Sequence, residues 1–172
     1  DTLENCRALQ QQVSDRITLL LNRGYTGLTE VARDPYTTVL RFSQFAAAHY
    51  CEARSMRLPT ARDLAAYSQS LGARGISETP RAGFDLILGQ DPLGNPDPFY
   101  YSSRGYTPPD ERDDLGWILS SNKNPYNARY VFGMNAEDGS FESRDRHVEP
   151  STGFRDSILR CARSASTDQA NP

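Results

Sequence analysis

Two histidines, three cysteines and four acids within five residues are the groups in this 172-residue chain that could do chemistry. His147 stands in Glu-Ser-Arg-Asp-Arg-His-Val-Glu-Pro (residues 142–150), where a carboxylate could orient an imidazole. Nucleophilic catalysis would then need a Ser or Cys brought to that ring. The chain contains no Gly-x-Ser-x-Gly elbow. It also lacks the Cys/His spacing of a zinc site. His49 lies in a helical stretch and reads as a packed or capping residue. Asp110, Glu111, Asp113 and Asp114 could hold calcium through oxygen; a solvated acidic loop is the alternative. No catalytic residue is assigned, no metal ligand is assigned, and no cofactor is expected.

Recognition chemistry is better represented. The stretches Ser-Ser-Asn-Lys-Asn-Pro-Tyr-Asn-Ala-Arg-Tyr (120–130) and 142–150 mix Tyr126 with Arg129, Arg144, Arg146 and His147. Rigid aromatics and forked cations are the composition of contact surfaces, and loops on a rigid scaffold commonly carry binding. The alternative is that both stretches are solvated loop, with Arg144 and Arg146 paired to Asp145 and Glu149.

The elements that must position these groups follow from periodicity. Leu3, Cys6, Leu9, Val13, Ile17, Leu20 and Leu21 recur every three or four residues, which predicts an N-terminal helix ending at Asn22-Arg23-Gly24. That helix (1–24) is either docked on the domain or the end of a stalk. Residues 25 to 40 read as extended. Phe42, Phe45, Ala46, His49 and Ala53 mark a second helix carrying Cys51. Pro59 forces extended backbone at Leu58, and Thr60 with Asp63 has capping-box spacing. Arg57-Leu58-Pro59-Thr60 is therefore a corner that opens a third helix running to Gly72. Residues 72 to 115 are rich in Gly, Pro, Asp and Arg and read as a long loop region. Strands are predicted over 116–121, 128–134 and 140–144, with an Asp138-Gly139 turn between the last two, and over 157–163. Residues 25–163 form the domain, and 164–172 are expected to be a disordered tail.

Composition narrows the partners. A net charge of −3 and a pI near 5.4, without a basic run, argue against a nucleic-acid partner. No apolar run reaches the length of a membrane span, so membrane insertion is not expected. Lys123 is the sole lysine among 19 basic residues, and arginine favours fixed ion pairs with carboxylates.

Cys51 and Cys161 could each be a buried free thiol. Their places on a helix beside the core and in the last strand suggest a staple instead, closing a loop with a separation of 110 residues. Cys6 is the odd one, either a buried thiol or a partner for a segment elsewhere.

The segment Ala46 to Tyr67, "AAAHYCEARSMRLPTARDLAAY", resembles the helix–corner–helix of bacterial C-type-lectin-like domains related to the formylglycine-generating-enzyme superfamily. The stretch 116–146 is similar to their later strands, through Trp117, Ser120, Ser121, Tyr130, Val131 and Asp138-Gly139-Ser140. Leu159-Arg160-Cys161 resembles their closing strand. The resemblance spans roughly residues 28 to 163. It implies an α+β, C-type-lectin-like fold: two core helices, a small twisted antiparallel sheet, long loops and here an extra N-terminal helix. It also implies a Cys51–Cys161 disulfide. Gly153-Phe154-Arg155 and the asparagines Asn122, Asn124 and Asn127 are similar to the displayed face of variable proteins on that fold. The ligand-binding set implied is Trp117, Asn122, Asn124, Tyr126, Asn127, Arg129, Arg144, Asp145, Arg146, His147 and Glu149, at an end of the fold away from the helix bearing Cys51. Only Glu149-Pro150-Ser151 stands where a calcium-binding lectin has its Glu-Pro-Asn, and no Trp-Asn-Asp is present, so calcium is not favoured. The function implied is an adhesin-type binding module of a bacterial surface or secreted protein, with a glycan or protein receptor. Its place is extracellular or at the cell surface, with the periplasm as alternative. Two other readings stay open: an enzyme of the formylglycine-generating type, and an assembly domain without ligand.

Overall fold

A computed structural model describes residues 2–21, 25, 27–36, 39–40, 42–90, 96–109, 116–146 and 157–163. The described elements are helices α1 (Thr2–Leu21), α2 (Gln44–Glu52) and α3 (Ala61–Ser70), then strands β1 (Gly75–Ser77), β2 (Asp85–Gln90), β3 (Pro96–Ser102), β4 (Trp117–Asn124), β5 (Asn127–Asn135), β6 (Phe141–Asp145) and β7 (Ser157–Ile158). The chain is mixed α+β, as expected. The tail 164–172, the acidic run Asp110 to Asp114, and Gly153-Phe154-Arg155 lie outside the described residues.

Local chemistry sets the helix starts. Ser43 caps α2, its hydroxyl accepting from the Ala46 N–H at 3.4 Å. The predicted box at α3 is closed both ways. The Asp63 N–H donates to Thr60 Oγ1 at 3.1 Å, and the Thr60 N–H donates to Asp63 Oδ2 at 2.9 Å. Arg57 pairs with Asp63 across the corner, and Leu58 and Pro59 are buried. The corner turns the chain, buries its apolar residues and begins a helix in four residues.

The region 72–115, read as loop, instead contributes β1, β2 and β3, which form an antiparallel sheet in the order β1-β3-β2. Its apolar face is Ile76, Ile87, Phe99 and Tyr101, all buried. The prolines obscured the alternation. Pro96 and Pro98 pair only with β2, because β1 meets β3 over Tyr100 to Ser102. Their missing N–H groups cost no ladder bond on the other side.

The second sheet runs β6-β5-β4-β7. It is not wholly antiparallel, since β7 lies parallel to β4. The predicted final strand is shorter than expected because its second half serves another partner. The Thr29 and Ala32 N–H groups donate to the Cys161 and Leu159 carbonyls, both at 2.8 Å, and Arg57 and Ala162 exchange backbone bonds. The extended 25–40 segment is thus tied down by isolated bridges rather than by a sheet.

Helix α3 lies between the sheets. Ala61 and Ala65 pack with Phe99 and Tyr101, while Leu64 packs with Ile118, Met134 and Ile158. A third cluster surrounds Cys51 and Cys161, with Leu58, Ala47 and Leu159. The two sulfurs are bonded, with Cα atoms 5.6 Å apart. In the part of α1 whose side chains are described, Leu3 is 56% and Leu9 62% exposed, and Cys6 is an exposed free thiol. No described helix is long and apolar enough to cross a membrane.

Candidate recognition site

Strands β4 and β5 form a hairpin closed by Pro125 and Tyr126, with Asn124 opposite Asn127. The strands predicted over 116–121 and 128–134 are longer than expected, so that only a two-residue tip separates them. Two asparagines shape that tip. Asn124 Oδ1 accepts from the Tyr126 N–H at 2.8 Å, and Asn127 Oδ1 accepts from the Arg129 N–H at 3.0 Å. Such short-range bonds let asparagine stand in for backbone in turns. Asn124 also donates through Nδ2 to Ser143 Oγ at 2.8 Å, fastening the tip to β6. Tyr126, held at the apex, is 95% exposed.

The register of β4 breaks between Leu119 and Lys123. The freed residues turn to the helices. Gln44 Nε2 of α2 donates to the Ser120 carbonyl at 3.3 Å, the Ser121 N–H donates to the Pro59 carbonyl at 2.9 Å, and the Ala61 N–H donates to Asn122 Oδ1 at 2.6 Å. Bulges commonly re-aim side chains beside binding sites. Here the bulge docks the hairpin on α2 and α3. Asn122 is consequently buried, holding the first turn of α3, and is not displayed on a ligand face.

Beside the tip of the hairpin lies an open depression of about 610 Å³ lined by Phe45, Lys123, Ala128, Arg129 and Arg146. Arg129 Nε donates to Asp145 Oδ2 at 2.6 Å, and the Arg146 N–H donates to the Arg129 carbonyl at 2.9 Å. The Arg146 guanidinium stacks over the Phe45 ring, 4.4 Å from its centroid. Phe45 belongs to α2, the helix that carries Cys51. Arg146, one of the predicted cations, therefore lies against that helix.

Of the predicted residues, the structure brings Arg129 and Arg146 together at the depression, with Asp145 between the strands as the carboxylate partner. Tyr126, Asn124 and Asn127 occupy the tip above. Arg144 lies over the Trp117 ring instead, 4.4 Å from its centroid, a cation–π contact across the sheet. The strand predicted over 140–144 is β6 (Phe141–Asp145). His147 and Glu149 lie outside the described residues. Sequence reasoning missed Lys123 and Phe45 as lining residues. Lys123 carried a signal as the sole lysine in the chain. Phe45 carried none, since it read as core, yet it is 45% exposed.

No family model matches the chain, and no curated protein and no solved structure matches it. The site is accordingly read from its own chemistry. Among the described residues, Lys123, Arg129 and Arg146 oppose the single carboxylate Asp145, which leaves two unbalanced positive charges on a chain whose net charge is −3. Phe45 and Ala128 supply an apolar floor. Such a surface can hold an anionic group against forked donors while an apolar or ring face rests beside it. Among the described residues no group of three or more His, Cys, Asp or Glu side chains could hold a metal ion.

Proposed function

We propose that this chain is a binding module, the C-type-lectin-like recognition domain of a bacterial surface or secreted adhesin. It takes an anionic group of a glycan or protein receptor at the depression under the β4–β5 tip. The observation that carries this reading is the local excess of cations around an apolar floor, beneath a tyrosine that is 95% exposed. Tyr and Arg are the residues most enriched at energetic centres of interfaces. The buried Cys51–Cys161 bridge is compatible with an extracellular or periplasmic setting, where disulfides persist.

The test is a glycan and protein array probed with the whole chain, followed by titrations of Tyr126→Ala, Lys123→Ala and Arg146→Ala beside the exposed controls Arg81→Ala and Arg104→Ala. A side chain at the centre of the contact costs ~2 kcal/mol, about thirtyfold in affinity, and binding should weaken as salt is raised. Equal losses in the controls, or no loss in the three hairpin and depression variants, would place recognition elsewhere. The competing account is that Arg129 and Asp145 form only a surface pair, worth at most ~1 kcal/mol.

A further inference from the structure

Strand β2 of the three-stranded sheet and strands β5 and β6 of the four-stranded sheet face one another across a cleft of about 310 Å³. Its floor is Ile87, Tyr101 and Phe132; its rim carries Asp85, Glu142 and Ser143. The floor is buried or half-buried, while Asp85, Glu142 and Ser143 are exposed at the mouth. The volume lies at the lower end of small-molecule sites, which pair an apolar lining with a few placed polar groups. Tyr101 contributes its ring alone, because its hydroxyl is engaged with Ser68 and donates to the Gly139 carbonyl at 2.7 Å.

We infer that this cleft is a second binding site, for a small neutral polyhydroxylated ligand of the pyranose type. The polar inventory selects the class. No Lys, Arg or His lines the cleft among the described residues; Arg144 lies 3.9 Å from Glu142 beside the mouth and offsets that charge, while Asp85 keeps the lining itself acidic and unfavourable to an anion. The two carboxylates present acceptors only, and a carboxylate's two oxygens can each take a proton from one of two adjacent hydroxyls. Ser143 Oγ accepts from Asn124, which leaves its own O–H to donate to a ligand oxygen. The aromatic and aliphatic floor suits the C–H face of a sugar ring. A multivalent cation lacks a third ligand here, since no group of three or more possible ligands occurs among the described residues. The site is distinct in charge and lining from the cationic depression.

The test is a titration of the intact chain with glucose, galactose, mannose and N-acetylglucosamine, followed by saturation-transfer NMR and by the ring signals of Phe132. Those signals report this cleft and not the depression, so either reading can fail without the other. At least one pyranose should bind in the millimolar range and shift Phe132. Asp85→Asn with Glu142→Gln should weaken it about tenfold or more at an unchanged melting temperature, and Ser143→Ala should weaken it as well. Absence of binding by all four sugars would overturn the inference. So would undiminished binding in the double variant, or carboxylate-dependent binding of ethanolamine when no sugar binds.

Discussion

Asn122 and Tyr126 stand on one hairpin and serve opposite ends of it. Asn122 is 5% exposed and its Oδ1 accepts from the Ala61 N–H, one of the donors at a helix start that has no partner inside the helix. Replacing it by Ala leaves that donor buried and unpaired, which costs ~1–3 kcal/mol. Tyr126 touches solvent almost everywhere, so Tyr126→Ala should move stability by no more than ~0.5 kcal/mol. The pair gives a direct check by urea unfolding: Asn122→Ala lowers the midpoint, and Tyr126→Ala leaves it in place. A destabilised Tyr126→Ala would mean that the tyrosine supports the hairpin rather than a ligand. The same comparison separates two residues that sequence reading had placed in one set.

Between elements, the hydroxyl of Tyr101 is the clamp. It sits on β3, binds Ser68 of α3 and donates to Gly139 in the β5–β6 turn, so it links both sheets through one atom. Burial, the larger influence, raises its pKa from 10.0 to about 12, with the Asp138 charge acting the same way and the Ser68 hydrogen bond pulling down. Tyr25 is likewise pushed up to about 12, first by burial and then by the Asp63 charge. In both cases the fold prefers the neutral phenol. Between the unfolded value near 10 and the folded value near 12 the native state holds more protons than the unfolded chain, so stability is complete below pH 10 and falls as pH rises to 12. Unfolding midpoints measured against pH should show that decline. Tyr101→Phe should make it shallower, while lowering stability at neutral pH by ~1–3 kcal/mol because the Gly139 carbonyl loses its donor. A decline of equal slope in the variant would show that the clamp does not titrate as described.

At the scale of the molecule, the Cys51–Cys161 bridge ties α2 to the closing segment across a separation of 110 residues. In the chain-entropy account a loop of that size stabilises by ~4–5 kcal/mol, through the freedom it denies the unfolded chain. Cys51 and Cys161 are 0% and 1% exposed, so a reductant should act slowly on the native protein and fully once the chain is opened by denaturant. Unfolding in urea with and without prior reduction checks this: the reduced chain should unfold at a clearly lower midpoint, and an identical midpoint would remove the bridge from the list of what holds the fold. Peptide mapping without reductant should recover Cys51 joined to Cys161 and Cys6 free.

Sequence by itself determined the local features. Pro59, Thr60 and Asp63 specify the corner and the capping box because each acts on backbone within a few residues. Asp138-Gly139 specifies a turn for the same reason, Gly139 adopting a φ of 77°. The apolar run Tyr130 to Met134 marks β5. The pairing of the cysteines was legible only as one of two fates, sharpened by resemblance. Tertiary structure alone decided what depends on distant partners. The three-stranded sheet was hidden because Pro96 and Pro98 look like strand breakers until β1 is seen to stop short of them. Leu3, Cys6 and Leu9 of α1 have the period of a buried stripe and are exposed. The bulge at Ser120 to Asn122 satisfies Gln44, Pro59 and Ala61, which lie some 60 to 76 residues away in the chain. Periodicity records which face of an element is apolar; it carries no record of which other element, at what height, will meet that face, and the recognition site is built at such a meeting.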